Sequence, residues 1–436
     1  MGGSTTANSV GQLMEADRCV SPWVRRGGPA LLAAVLALNV VAYVHWPAMA
    51  MQIDARVYRF GAVRAWDGLA LYTTGYTGNS HELLFVYSPF AAVIFLPMAL
   101  VGEQVLRVGA LVLAAALVTY ASWRMLTSLG LTRAGGLWSL TALVAGLVAW
   151  LEPVRLTVQL GQINIAILAV VAADLLGPSN RKWAGIGIGL VAGIKLTPAV
   201  FIVYLAAIGR LRAAMVATVT LAVTVVVGFV VLPFDSWFYW LDHGFSAIGR
   251  ISANPLANTS LHGLFERLHV SPGPATAATA ALAVAALAVA AAAHRRGHAV
   301  LGLALVGMAG SAVSPFSWSH HWVWFAPLIA HLAYRAYVLR RAASVAGLWL
   351  LAAILGGWFT TWQSGDLEAG ALSLPAAGWW EAILPAGYVA VFLVVLLVTA
   401  VWLWRSAREQ RETRPAPDVW SRRSLGIRQH ANERVG

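Results

Sequence analysis

Roughly thirteen apolar stretches run through the 436 residues, many close to the length that crosses a bilayer, and short loops rich in polar and aromatic side chains separate them. That pattern leaves few architectures. Lipid offers no hydrogen-bond partner to a bare peptide group, so a spanning segment is either a helix or part of a closed barrel. These runs are continuous and rich in Leu, Ala and Val, without the alternation of barrel strands, which selects helices. Charged residues make up only 11% of the chain and the mean hydropathy is +0.71, whereas a soluble domain carries about 25% charge. The fold class is therefore an all-α polytopic membrane protein.

The formal charge of +12 does not point to nucleic acid, because the cations sit beside the apolar runs, where positive charge marks the cytoplasmic side. A single cysteine, Cys19, excludes a disulfide within the chain and a thiolate metal centre. Residues 1–28 end in Arg25-Arg26 and read as a disordered cytoplasmic tail. The first apolar run, 29–51, reads as an uncleaved anchor, although Ala48-Met49-Ala50 has the small-x-small form of a cleavage site. The run at 184–208 is interrupted by Lys195 and Pro198, and is either one span or two half-helices in a hairpin. Arg181-Lys182 and Arg210/Arg212 flank it, and placing both inside favours the hairpin. With Arg295-Arg296, Arg340-Arg341 and Arg405/Arg408/Arg411 also inside, four segments fall on the outer face: 52–84, 234–274, 314–321 and 361–382. These hold only Arg56, Arg59, Arg64, Arg250 and Arg267 of the 30 Lys and Arg residues. One of the runs 85–101 and 105–126 must then fail to cross. The expectation is about 12 transmembrane helices across 29–404, both termini cytoplasmic, and a charged tail at 405–436.

Few residues outside the apolar runs can carry chemistry. Asp54 follows the first run, and a carboxylate at a membrane edge loses solvation, which raises its pKa toward that of a useful base; the alternative is pairing with Arg56 or Arg59, or helix capping. Tyr72 and Tyr87 read either as interfacial aromatics or as platforms for a sugar. Gln162 and Asn164, at the start of an apolar run, serve as glue between helices or as ligand contacts. Lys195 beside Pro198 is a costly position for a cation, suited to a phosphate, unless it snorkels to the interface. The segment Ser314-Pro315-Phe316-Ser317-Trp318-Ser319-His320-His321-Trp322 puts two histidines among tryptophans, where imidazole can hold phosphate or move a proton. The outer loop adds Asp235, His262, Glu266 and His269, without HExxH spacing, and the aromatic run Trp237–Trp240 suits a helix lying on the bilayer. No GxxxxGK[ST], strand-turn-helix GxGxxG or GxSxG occurs, so nucleotide-driven pumping and dinucleotide chemistry have no support.

These pieces occur in one order: Asp54-x-x-x-Tyr58, Gly68-x-x-Leu71-Tyr72, Tyr87-Ser88-Pro89-Phe90, Gly161-Gln162-Ile163-Asn164, Ile194-Lys195-Leu196-Thr197-Pro198, and Ser314 through Trp324. The series resembles the GT-C glycosyltransferases of family 87, the actinobacterial polyprenyl-phosphate-mannose-dependent α-1,2-mannosyltransferases of phosphatidylinositol mannoside and lipomannan assembly. The resemblance implies a multi-pass plasma-membrane enzyme of GT-C type with its active site on the periplasmic, outer face. It implies a lipid-linked mannose donor, a mannosylated glycolipid acceptor, surrounding membrane lipids and no nucleic acid. It implies inversion, with Asp54 as general base and His320, His321 and Lys195 at the donor phosphate. Arg56, Tyr58, Tyr72, Tyr87, Gln162, Asn164, His262 and Trp318 become candidate substrate contacts. No cofactor is implied; metal dependence stays open, with no metal ligands assigned. Two alternatives are an arabinofuranosyltransferase using decaprenyl-phosphate-arabinose, which shares the fold, and a lipid or sugar transporter.

Overall fold

The computed structural model describes residues 20–78, 83–242, 244, 257–357, 359–361, 367–369 and 384–412. It is helical apart from a ribbon pairing β1 (Phe359–Thr361) with β2 (Leu367–Ala369). Among the described residues, five helices are long and apolar enough to cross a membrane: α1 (Pro22–His45), α4 (Glu103–Ser128), α10 (Leu211–Val231), α13 (Pro272–Arg295) and α17 (Gly387–Glu412). A sixth candidate is the bent pair α6 (Glu152–Leu160) and α7 (Asn164–Leu175), whose axes meet at 118°. The remaining helices are α2 (Ile53–Trp66), α3 (Pro89–Ala99), α5 (Leu137–Trp150), α8 (Ile186–Ile194), α9 (Val200–Ala207), α11 (Pro233–Trp240), α12 (Leu261–Arg267), α14 (Ala299–Val313), α15 (Phe325–Tyr337) and α16 (Ala342–Ile354). The longest helices expose aliphatic stripes, such as Val219, Val223, Val226 and Val230 on α10 and Leu393, Val394, Leu397 and Val398 on α17. Apolar faces of that extent suit lipid, not water. The molecule is a membrane protein.

Helix boundaries differ from the hydropathy reading at both ends. Helix α1 begins at Pro22 and not at residue 29, because Gly28 packs against Ser139 and Leu143 of α5 and so belongs to the bundle. Residues 1–19 of the expected tail lie outside the described residues. Helix α17 runs on to Glu412, past the expected boundary at 405, and the chain from 413 lies outside the description.

The interrupted run 184–208 forms two helices that turn at Lys195. Gly185, Gly189 and Gly193, one per turn of α8, lie against Ala213, Ala217 and Thr224 of α10. Helix α8 thus runs alongside α10 at a separation only hydrogens allow: a Cβ at Gly189 would meet the Ala217 carbonyl oxygen at 2.4 Å. Helix α9 then returns, and Arg210 at its far end bonds the Leu175 carbonyl at 2.7 Å. The run 85–101 becomes the short helix α3, which packs across α2: Phe85 abuts Gly61 before its start, and the Val101 carbonyl beyond its end accepts from Arg59 Nε at 3.0 Å. Ser88 caps α3 by accepting from Ala91 N (3.2 Å), with Pro89 in the first turn, where its missing N–H costs nothing. Helices α2 and α3 lie together at one end of the bundle, beside the sharp α6–α7 bend and the 3-10 turn Ser319–Trp324.

Candidate active site

Four separate breaks in helical structure converge at that end. The first is the start of α2. Gln52 adopts a left-handed conformation (φ 48°), its N–H bonds the Gln159 carbonyl at 2.8 Å, and Asp54 follows in the first turn of α2. The second is the α6–α7 bend. Gly161 closes α6 at φ 72°, where a side chain would be strained and its Cβ would press on Ala55. The bend delivers Gln162 to the Asp54 carboxyl, with which its amide hydrogen-bonds. Gln162 Oε1 lies 2.9 Å from the Tyr58 hydroxyl and 2.8 Å from that of Tyr87, and the two phenols are 2.8 Å apart. Since Oε1 faces the phenols, the NH2 group faces Asp54.

The third break is the α8–α9 turn. Lys195 Nζ donates to Asn164 Oδ1 at 3.0 Å, lies 3.2 Å from His321 Nε2, and sits 5.8 Å from the Tyr87 ring centre. Ser88 ties α3 to the same turn by donating to the Gly193 carbonyl. The fourth is the 3-10 turn. Its His320 carbonyl accepts from Thr157 (3.1 Å) and Asn164 (2.9 Å), and its His321 carbonyl from Ser311 (3.0 Å). The Trp318 ring stacks on His320 at 12°, and the Trp318 N–H points at His321 Nδ1 at 3.3 Å. A cavity opens beside Lys195 and His321, with Thr197, Ser311 and Ser314 near them and Val200, Phe201 and Trp324 as apolar walls.

The electrostatics follow from burial. Desolvation raises the Asp54 pKa to about 6, offset in part by the Gln162 amide and the Lys195 ammonium. Burial holds the Tyr58 and Tyr87 phenols protonated, helped by the nearby carboxylate. Burial, then Lys195, pushes both histidines well below the usual imidazole range, so both rings are neutral. A neutral ring has one acceptor nitrogen, yet His321 is approached by donors at both. His320 is 4% exposed, and neither of its ring nitrogens has a partner among the described residues. The cluster is rich in donors and short of acceptors.

Of the twelve site candidates read from the sequence, Asp54, Tyr58, Tyr87, Gln162, Asn164, Lys195, His320, His321 and Trp318 meet at this end, in an Asp54–Gln162–tyrosine group and a Lys195–Asn164–histidine group that approach where Lys195 Nζ lies 5.8 Å from the Tyr87 ring. Tyr72 joins at one remove, donating to the Tyr87 carbonyl at 2.8 Å. Two do not join. Arg56 points to the start of α4 and pairs with Glu103 at 2.7 Å. His262 is about half exposed on α12 and pairs with Glu266 at 3.4 Å. Glu152 and Arg155 are not among the candidates that the sequence offers. Both are nearly fully buried: Tyr388 and Ser319 bond the Glu152 carboxylate, and Arg155 bonds Asn39 and Gly357. Their signal was present as a Glu-x-x-Arg pair between two apolar runs, a costly placement that marks a site by default.

Known proteins resemble the chain over most of its length. A polyprenol-phosphate-mannose-dependent alpha-(1-2)-phosphatidylinositol mannoside mannosyltransferase of Mycobacterium tuberculosis is 33% identical over 410 residues, covering 88% of this chain and 94% of that protein. The protein of the same name from Mycolicibacterium smegmatis is 32% identical over 410 residues, 84% and 89% of the two chains. A polyprenol-phosphate-mannose-dependent alpha-(1-2)-phosphatidylinositol pentamannoside mannosyltransferase of Mycobacterium tuberculosis is 31% identical over 428 residues, 91% of each. No solved structure matches. The family model for glycosyltransferase family 87 matches residues 85–315, which hold the Tyr87, Gln162, Asn164 and Lys195 elements of the network. With a relative one-third identical along nearly its whole length, the chain belongs to glycosyltransferase family 87.

Proposed function

We propose that the protein transfers mannose from polyprenyl-phosphate-mannose to a phosphatidylinositol mannoside or lipomannan acceptor, forming an α-1,2 linkage with inversion. The observation that carries this reading is a partly buried carboxylate set beside a cluster of a lysine and two neutral histidines, close enough to feel the Lys195 charge. Asp54, poised near neutrality, takes the proton of the acceptor 2-hydroxyl as its oxygen attacks the anomeric carbon. The bond from that carbon to the phosphate oxygen breaks, and its electron pair leaves with polyprenyl phosphate. The Lys195 ammonium and the neutral His320 and His321 rings supply hydrogen bonds to the charge growing on the phosphate. Phosphate leaves readily, so no general acid is required. Tyr58, Tyr87 and Gln162 hold Asp54 on its face of the site. The names of the relatives supply donor and linkage.

The site is assigned to the outer face of the plasma membrane, with about 12 spans and both termini cytoplasmic. Three observations support that topology. Helix α3, at 11 residues, is about 16 Å long and rests on α2, so it accounts for the run that fails to cross. Helices α8 and α9 make a hairpin, which keeps Arg181-Lys182 and Arg210 on one side. Helices α5, α14, α15 and α16, 13 to 15 residues each, reach roughly 20–23 Å, less than the hydrocarbon thickness of about 30 Å. They meet the 3-10 turn and the α6 bend at the site end, which sinks the site below the outer interface.

The test is transfer of radiolabelled mannose from polyprenyl-phosphate-mannose to phosphatidylinositol mannosides by purified wild type and Asp54→Asn. Transfer by wild type, with the folded variant inactive, supports the assignment. Transfer only from a decaprenyl-phosphate-arabinose donor replaces the sugar and keeps the site. Equal activity in Asp54→Asn removes the base.

A further inference from the structure

Glu152 lies beyond the Asp54 and Lys195 cluster. It opens α6 on the far side of the bend from Gln162, is 2% exposed, and its N–H bonds the Leu355 carbonyl at 2.8 Å. One carboxylate oxygen accepts from Ser319 Oγ at 3.0 Å and the other from the Tyr388 hydroxyl. The first turn of a helix favours an anion, since free N–H groups and the helix dipole face it. Arg155, one turn on, is itself held by Asn39 Oδ1 (3.1 Å) and the Gly357 carbonyl (3.0 Å). Ser319 is the residue immediately before His320 and His321. The segment 152–164 therefore grips the histidine turn three times: Glu152 at Ser319, then Thr157 and Asn164 at the His320 carbonyl. Asn164 also holds Lys195, so the same segment sets the spacing between the lysine and the imidazoles.

We propose that Glu152 is a positioning residue for the donor-phosphate site, acting through Ser319 to fix the histidine turn against Lys195. It does not reach the reacting atoms. The role rests on the function proposed above but has its own readout. Removing the Ser319 hydroxyl leaves the rest of the Glu152 network in place, so Ser319→Ala is the sharp variant and Glu152→Ala the companion. A displacement of the turn by about 1 Å is expected to lower kcat up to roughly 10²-fold, with the acceptor KM near wild type, because the loss falls on the leaving group. The double variant is expected to be no worse than Glu152→Ala alone, since either change breaks the Glu152–Ser319 contact. Hydrogen exchange followed by mass spectrometry is expected to quicken in peptides over 317–324, with helices α4 and α10 unchanged.

Wild-type exchange at 317–324 in folded Ser319→Ala, or additive losses of kcat in the double variant, overturns the proposal. Faster exchange confined to the turn supports it whichever sugar is transferred, so failure of the donor assignment and failure of the positioning role read out separately. Should Glu152→Ala not fold, the exchange and kcat of Ser319→Ala decide alone.

Discussion

At the end of the bundle that holds Asp54, side chains bond to side chains: Tyr58 and Tyr87 to Gln162, Lys195 to Asn164, Ser319 to Glu152. At the opposite end, arginines bond to backbone. Arg210 and Arg124 reach the Leu175 and Leu176 carbonyls at the close of α7, Arg295 reaches Ala207 at the close of α9, and Arg296 reaches Leu403 in α17. Both ends contain cations and broken helices, but the consequences differ. A guanidinium on a helix C-terminus satisfies an orphan carbonyl and complements the helix dipole, so its task is complete within the fold. The cluster around Lys195 leaves donors in excess, with His320 buried and its ring nitrogens unpartnered among the described residues. The arginine contacts at the far end are closed within the fold, whereas the Lys195 cluster has a cavity beside it and a buried His320 whose ring nitrogens have no partner among the described residues, the arrangement the proposed phosphate site needs.

Substitutions test that contrast, and the largest effect belongs to Asp54. Asp54→Asn keeps the shape and the hydrogen bond to Gln162 while removing the base, and a general base contributes about 10²–10⁴-fold; kcat for mannose transfer is expected to fall within that range while the thermal midpoint holds. Lys195→Met is expected to lower kcat by about 10²–10³-fold, the usual loss for one stabilising donor at a developing anion. A kcat near wild type in that variant would make the lysine an interhelical tie like the arginines of the far end, and would erase the contrast. The pH profile gives a smaller, graded effect. Burial raises the Asp54 pKa to about 6, so the base form is nearly full above pH 7 and lost below 6. Wild-type kcat/KM is then expected to drop about tenfold per pH unit on the acid side, and a profile flat from pH 5 to 7 contradicts a base held at that pKa. The smallest change in rate is expected at the far end. Arg210→Ala removes one partly buried bond to a carbonyl, worth about 1–2 kcal/mol. It should lower the thermal midpoint by a few degrees, about 2 °C, with kcat within twofold of wild type. A tenfold loss of kcat there would mean that the far end communicates with the site.

Much of the site was readable because chemistry in a lipid environment has to stand out. Asp54, Lys195 and the His320-His321 pair are polar groups at the margins of apolar runs, where composition alone makes them conspicuous. Gln162 and Asn164 were readable as amides that need partners, but not as the particular links from Asp54 to two phenols and from Lys195 to the histidine turn. Arg56 and His262 lie outside the cluster that gathers the other candidates. Each is a good ligand type, and each finds a carboxylate close by, Glu103 and Glu266. Local pairing of that kind depends on the direction a helix face points, which chain order does not encode.

The chain itself determined the membrane environment, the helical class and the small set of residues able to do chemistry, because burial of bare backbone and charge in lipid is so costly that composition must reveal it. Tertiary structure decided the rest. The run 85–101 reads as one apolar stretch, but its fold is a short helix whose two ends are received by Gly61 and Arg59 of α2. The turn at Lys195 depends on three glycines that let α8 lie directly on α10. Glu152 gained its place only when α6 bent 118° from α7 and met Ser319 more than 160 positions further along the chain. Hydrophobicity is a property of each segment alone, whereas the meeting of a carboxylate, an ammonium and two imidazoles is a property of how segments pack.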